Sequence, residues 1–130
     1  MHGGGYHWAG SMGSSEVAVT AGAVLATLSL LSQMYGAPAP LMECLSWYES
    51  GHDVTAQNGE YVSVLQLGAA WWQEFVPQYL ADETAPHREY VRMHNDRHDA
   101  LAGMIVATWA VAHGYRERWS ANRLCSEVGR

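Results

Sequence analysis

Glu49 stands in the run Cys44-Leu-Ser-Trp-Tyr-Glu49-Ser50-Gly51, at the end of a helical stretch with one apolar face. A carboxyl group so placed is a candidate proton donor, because apolar surroundings and the negative end of a helix dipole both favour its protonated form. Trp47, Tyr48, Trp71 and Trp72 supply apolar neighbours close in sequence. An acid that keeps its proton near neutral pH can protonate a leaving oxygen, which is what cleavage of a glycosidic bond requires. Asp53, Glu60 and Glu74 are the candidates for a second carboxylate, as base or nucleophile, although loop acids are commonly just solvated. His94 and His98, in Met-His-Asn-Asp-Arg-His-Asp, are four apart and would share a helix face, a spacing that suits a metal pair. A third ligand would have to be Asp99 or His87, and the simpler reading is two solvated histidines at a charged helix start. Cys44 and Cys125 allow one intramolecular bridge or two separate buried thiols.

The elements that position these groups are mostly helical. Pro38 and Pro40 end one helix and start another at Leu41, whose inner face is Leu41, Cys44, Leu45 and Tyr48 and whose end is marked by Gly51. Residues 52–60 form a polar loop with an Asn58-Gly59 turn, and Tyr61–Leu67 reads as a short strand or extended piece. Residues 69–80 read as a helix bent or ended by Pro77, and 81–88 as an acidic loop. Leu101, Met104, Ile105, Thr108, Trp109 and Ala112 define a helical face ended by Gly114, and 115–130 is a polar tail. The expected fold is mainly α with a small β-hairpin.

Before that unit lie two further segments. Residues 1–15 are Gly- and Ser-rich and read as a flexible arm. Residues 16–36 are an apolar stretch in which Val17, Ala21, Val24, Leu25, Leu28, Leu31 and Tyr35 recur at helical steps. Val17–Tyr35 has three readings: a packed core helix, the apolar part of a signal peptide, or a membrane anchor just long enough for about 30 Å of hydrocarbon. The core helix is favoured by the periodicity, and an anchor would carry flanking Arg or Lys.

The ordered set Glu49-Ser50, Asn58-Gly59, Tyr61-Val-Ser63-Val-Leu-Gln66 and Trp72, six residues after the Gln, resembles the lysozyme-like superfamily, and within it the small secreted lytic transglycosylase-type domains. The resemblance covers about residues 40–125 and implies a lysozyme-like catalytic domain over 40–130. It implies Glu49 as the catalytic acid/base, with Tyr61, Gln66 and Trp72 binding the glycan and Ser50 supporting Glu49. It also implies a Cys44–Cys125 disulfide, since such domains carry one Cys on the catalytic helix and one near the C-terminus after a Trp, here Trp119. The family's Gly between Tyr and Leu is Ser63 in this chain, which would narrow the groove if a sugar approached there.

One domain is expected from 130 residues, 48% of them hydrophobic. Seven Arg, no Lys and 13 acids give a net charge of −6, and the first Arg is Arg88. A nucleic-acid partner, which needs a basic face, is therefore excluded. The leading expectation is a peptidoglycan-cleaving glycosidase, muramidase or lytic transglycosylase, acting on the β-1,4 bond between N-acetylmuramic acid and N-acetylglucosamine. It would work outside the cytosol, without a cofactor. The alternatives are a catalytically degenerate wall-glycan binder or structural subunit, and a helical metal-binding module built on His94 and His98.

Overall fold

The computed structural model describes residues 19–128. The arm over 1–15 and the first residues of the apolar stretch lie outside them. Helix α1 runs Ala21–Tyr35, α2 Ala39–Ser50, α3 Ala69–Ala81, α4 Arg88–Met93 and α5 Ala100–Ala112. A two-stranded antiparallel hairpin, β1 (Gln57–Asn58) and β2 (Tyr61–Val62), stands between α2 and α3. Two short 3₁₀ turns, Arg116–Arg118 and Ser120–Arg123, follow α5.

Helix α5 is the centre of the core. Residues Ala102 to Val111 are all buried, so the helix is covered on every side rather than along one stripe. Leu101, expected on its inner face, is exposed. Small residues permit this, since Ala102, Gly103, Ala107 and Ala110 let neighbours approach closely. Asp99 caps the helix, its carboxylate accepting the Ala102 amide at 2.9 Å.

Helix α1 is a core helix that packs on α2 and α5, burying Val24, Leu28 and Leu31. It starts at Ala21 rather than at Val17, because Thr20 is extended and caps it by accepting the Ala23 amide at 3.1 Å. Among the described residues no helix is long and apolar enough to cross a membrane. Leu30 and Met34 remain exposed on its outer face.

Pro38 caps α2, and Gly51 closes it in the left-handed region at φ 66°, its amide donating to Ser46 and Trp47 carbonyls. Helix α3 continues through Pro77 to Ala81, so that proline does not end it. The 81–88 loop gives way to α4 at Arg88. Instead of one strand over Tyr61–Leu67, only Tyr61 and Val62 are paired in the hairpin. Ser63 (φ 69°) and Gln66 (φ 53°) turn the chain back, and Leu67 bridges to Val62. Arg97 holds this bend, donating to the Glu60 and Leu67 carbonyls at 2.6 and 3.1 Å.

A Cys44–Cys125 disulfide ties the tail to α2, with Cα atoms 6.0 Å apart and a sequence separation of 81. Such bridges form and persist in oxidising, extracytoplasmic surroundings. The tail is further held by Arg116, which donates to Asn122 Oδ1 and to the carbonyls of Cys125 and Val128.

Candidate active site

A cleft of about 370 Å³ opens beside the end of α2, lined by Glu49, Asn58, Tyr61, Gln66, Arg118, Trp119 and Ser120. Three elements build it. The last turn of α2 supplies Glu49. The hairpin supplies Asn58 and Tyr61, which face each other across its strands. The bridged tail supplies the third wall.

Glu49 is half-buried, and burial pushes its carboxyl pKa above the usual glutamate value. One group opposes this: the Ala121 amide donates to Glu49 Oε2 at 3.3 Å. The apolar wall is not the one expected from sequence. Trp47 and Tyr48 are exposed, at 57% and 53%, and the indole on the cleft is Trp119, 5% exposed. Trp119 is fixed by its Nε1–H donating to Leu65 O at 2.9 Å and by Trp71 behind it, ring centroids 5.3 Å apart.

The other expected site residues divide. Tyr61 and Gln66 line the cleft with Glu49. The Tyr61 ring lies over Gly68, where an added Cβ would meet its Cε1 at 3.0 Å. Gln66 is 8% exposed and its amide is turned inward. Both its N–H groups donate to carbonyls, Ser63 at 2.9 Å and Ala56 at 3.2 Å, while Oε1 accepts from Asn58 Nδ2 at 2.9 Å. It therefore braces the bend, and Asn58 is the more exposed amide of the pair.

Ser50 and Trp72 lie off the cleft lining. Ser50 is 1% exposed, and its hydroxyl donates to Val64 O at 2.8 Å and accepts the Asp53 amide at 3.1 Å. It ties the end of α2 to the 63–66 bend beneath the cleft and is closed to a ligand. Trp72 is a core residue 7% exposed, its Nε1–H donating to Asn95 Oδ1 at 2.8 Å, and it is not on the cleft. Two adjacent tryptophans on a helix point about 100° apart. Here Trp72 takes the core, and Trp71 stacks with Phe75 and Trp119.

Ser63 also does something other than expected. It is 4% exposed and absent from the cleft lining, so it does not narrow the groove. Its φ of 69° is the left-handed conformation that glycine adopts freely and serine does not. Its hydroxyl is buried with no hydrogen-bond partner.

Among the described lining residues Glu49 is the one carboxylate. Asp53 accepts the Thr55 amide and hydroxyl, Glu60 accepts the Ala69 amide, and Glu74 is paired with Arg118 at 2.7 Å. The His94/His98 pair is not on one helix face, because α4 ends at Met93. His94 stacks on Tyr90, His98 bonds to Asp96, and the described residues hold no group of three His, Cys, Asp or Glu able to ligate a metal.

Sequence reasoning missed Arg118, Trp119 and Ser120 as cleft residues. The one signal for them was the Trp119…Cys125 pairing with Cys44, which carries residues 118–121 to the end of α2. No protein-family model, curated protein or solved structure matches this chain.

Proposed function

We propose that this chain is a peptidoglycan-cleaving glycosidase with a lysozyme-like fold, a muramidase or lytic transglycosylase. It cuts the β-1,4 bond between N-acetylmuramic acid and N-acetylglucosamine with Glu49 as general acid and then base. The observation that carries this reading is the environment of Glu49: a half-buried carboxyl with a raised pKa, one long amide contact, and a cleft walled by Trp119 and Tyr61. Because Ala121 occupies Oε2, the transferable proton belongs on Oε1. That oxygen protonates the leaving glycosidic oxygen. The carboxylate so formed then takes a proton from the attacking hydroxyl.

A single carboxylate is sufficient for this scheme. If the sugar's own 6-hydroxyl attacks, the product is a 1,6-anhydro sugar; if water attacks, it is the product of hydrolysis. The half-exposed Tyr61 ring suits a sugar face, Trp119 backs the cleft as an apolar wall, and Asn58 and Ser120 offer hydrogen bonds. The disulfide fits an enzyme of the cell envelope or extracellular space.

Mass spectrometry of soluble products after incubation with purified peptidoglycan tests activity and product type together. The parent should release muropeptides. Glu49→Gln keeps the shape but cannot transfer a proton, so release should fall at least about a hundredfold while folding and glycan binding survive. A Glu49→Gln chain as active as the parent would place the chemistry elsewhere. A parent that binds wall glycan and releases nothing would make the chain a degenerate binder.

A further inference from the structure

Arg88, Arg97 and Arg116 spend donors on backbone carbonyls and hold loops in place. Arg118 makes no such bond with its side chain. Its guanidinium lies over the Phe75 ring, 4.9 Å from the centroid, and is gripped edge-on by Glu74, with Nη1 to Oε2 at 3.0 Å and Nη2 to Oε1 at 2.7 Å. A guanidinium has five N–H groups, and this grip uses two. The fork is thus fixed in direction while keeping donors to spare, and its side chain is 40% exposed. Arg118 is the one cation among the residues lining the cleft, whose other members besides Glu49 are neutral.

This bears on an electrostatic difficulty. A chain of net charge −6 repels an anionic polymer at long range, so a carboxylate on the strand has to be met by short-range N–H donors inside the site. The geometry points to Arg118 as a specificity-determining residue that binds a carboxylate carried by the glycan in the Glu49 cleft, with Glu74 as the positioning residue that aims it. The inference rests on the glycan-cleaving reading of that cleft and adds the class of strand it selects: a carboxylate-bearing oligosaccharide over a neutral one. The carboxylate has two sources, the lactyl group of a peptide-free muramic acid and the stem peptide. Arg is suited to either, since its planar fork matches a carboxylate bidentately where Lys offers only a point charge.

The test uses the Glu49→Gln chain, which does not turn over, and measures binding by calorimetry. Three ligands are compared: a neutral N-acetylglucosamine oligomer, glycan strands stripped of peptide so that lactyl carboxylates are free, and strands retaining their peptides. Adding Arg118→Gln should weaken at least one carboxylate-bearing ligand about five- to tenfold, a charge-assisted bond at a half-exposed site, and leave the neutral oligomer within about twofold. Loss on the stripped strands assigns the lactyl group; loss on the peptide-bearing strands alone assigns the peptide. Arg118→Lys should recover only part of the loss. Equal weakening of all three ligands, or no weakening of either carboxylate-bearing one, overturns the inference and leaves the glycan reading standing. A Glu49→Gln chain that binds none of the three overturns both.

Discussion

Glu49 and Asp82 both sit at the C-terminal end of a helix, Glu49 in the last turn of α2 and Asp82 as the residue closing α3. The exposed carbonyls of a helix end disfavour a negative charge at either place. Yet the Glu49 carboxyl is pushed above its usual value and the Asp82 carboxyl is held down at about 2. The difference lies in the donors. Asp82 Oδ2 accepts the Trp109 indole N–H at 2.9 Å, and Oδ1 accepts the Thr84 hydroxyl and amide at 2.7 and 3.0 Å. Glu49 has the single Ala121 amide at 3.3 Å and a buried setting. A carboxylate ringed by donors is a fixed structural anion, whereas one that is desolvated and barely solicited is left able to exchange a proton.

The region around Asp82 is tied in the same closed manner. Tyr35 and Tyr79 hydroxyls meet each other at 2.9 Å and both reach the Pro86 carbonyl, and Tyr35 also meets His87 Nδ1 at 3.0 Å. Burial pushes both tyrosine hydroxyls up, so neither ionises in the working range. This knot joins α1, α3 and the loop before α4. The cleft, by contrast, is closed by a tail docked through the disulfide, the Trp119–Leu65 hydrogen bond and the Arg118–Glu74 pair.

Breaking the disulfide separates the two regions most sharply. Cys44→Ser with Cys125→Ser opens a loop of about 80 residues and should cost about 4–5 kcal/mol in a denaturant titration, on the chain-entropy account. Hydrogen exchange should rise first at Trp119 and Ala121 and last at Thr84. Equal loosening at both ends would show that the cleft is not the weaker side.

Glu49 itself gives the next effect. A carboxyl that binds its proton more tightly when folded makes stability fall as pH rises from the ordinary glutamate value through the raised one. Glu49→Gln should therefore raise the thermal midpoint at pH 7, besides the hundredfold or greater loss of peptidoglycan release expected on the proposed function. The gain should vanish below the ordinary glutamate value. On the proposed function, peptidoglycan release by the parent should decline on the alkaline side only above that ordinary value. A midpoint gain that is the same at pH 3 and pH 7 would mean that desolvation is not what sets Glu49 apart.

Two smaller changes probe strain and charge. Ser63→Gly should stabilise by about 1 kcal/mol, by relieving a left-handed serine and removing a buried unpaired hydroxyl, less the greater unfolded freedom of glycine. His87 is left-handed as well, at φ 67°, but its ring is bonded to Tyr35, so His87→Gly should give no such gain. Asp82→Asn should lower stability at neutral pH, and the difference from the parent should fade in strong acid. The parent's contribution from Asp82 is complete above the ordinary aspartate value of 3.8 and is lost as pH falls through about 2. The variant's acid-unfolding curve should lack that component.

The helices were legible in the sequence because local signals fix them: the prolines at 38 and 40, Gly51 and Gly114, and the apolar steps along α1 and α5. The hairpin's turn was legible from Asn58-Gly59. What was not legible depends on contacts between distant residues. Leu101 reads as core by spacing and is exposed, while Ala102 beside it is fully buried. The bend at 63–66 reads as strand because Val62, Val64, Leu65 and Leu67 are apolar. Two left-handed residues, which composition does not mark, fold it back. At the site, Glu49, Tyr61 and Gln66 were found through an ordered motif. Ser50 and Trp72 carried the same motif but face inward. Arg118 and Trp119 come from a segment with no pattern of its own, which is tied to the cleft by the Cys125 bridge and by contacts with the distant Leu65 and Glu74.

That long reach sets the order in which the cleft is assembled. Ala121 lies 72 residues beyond Glu49 along the chain, and the indole wall is two residues nearer. Contacts between residues so far apart form late, since the loop between them must close first. Only when the tail docks is the carboxyl desolvated, and the bridge to Cys125 makes that docking durable. The setting of Glu49 is thus completed by the far end of the chain, and reducing the bridge should loosen the acid's surroundings before the rest of the core.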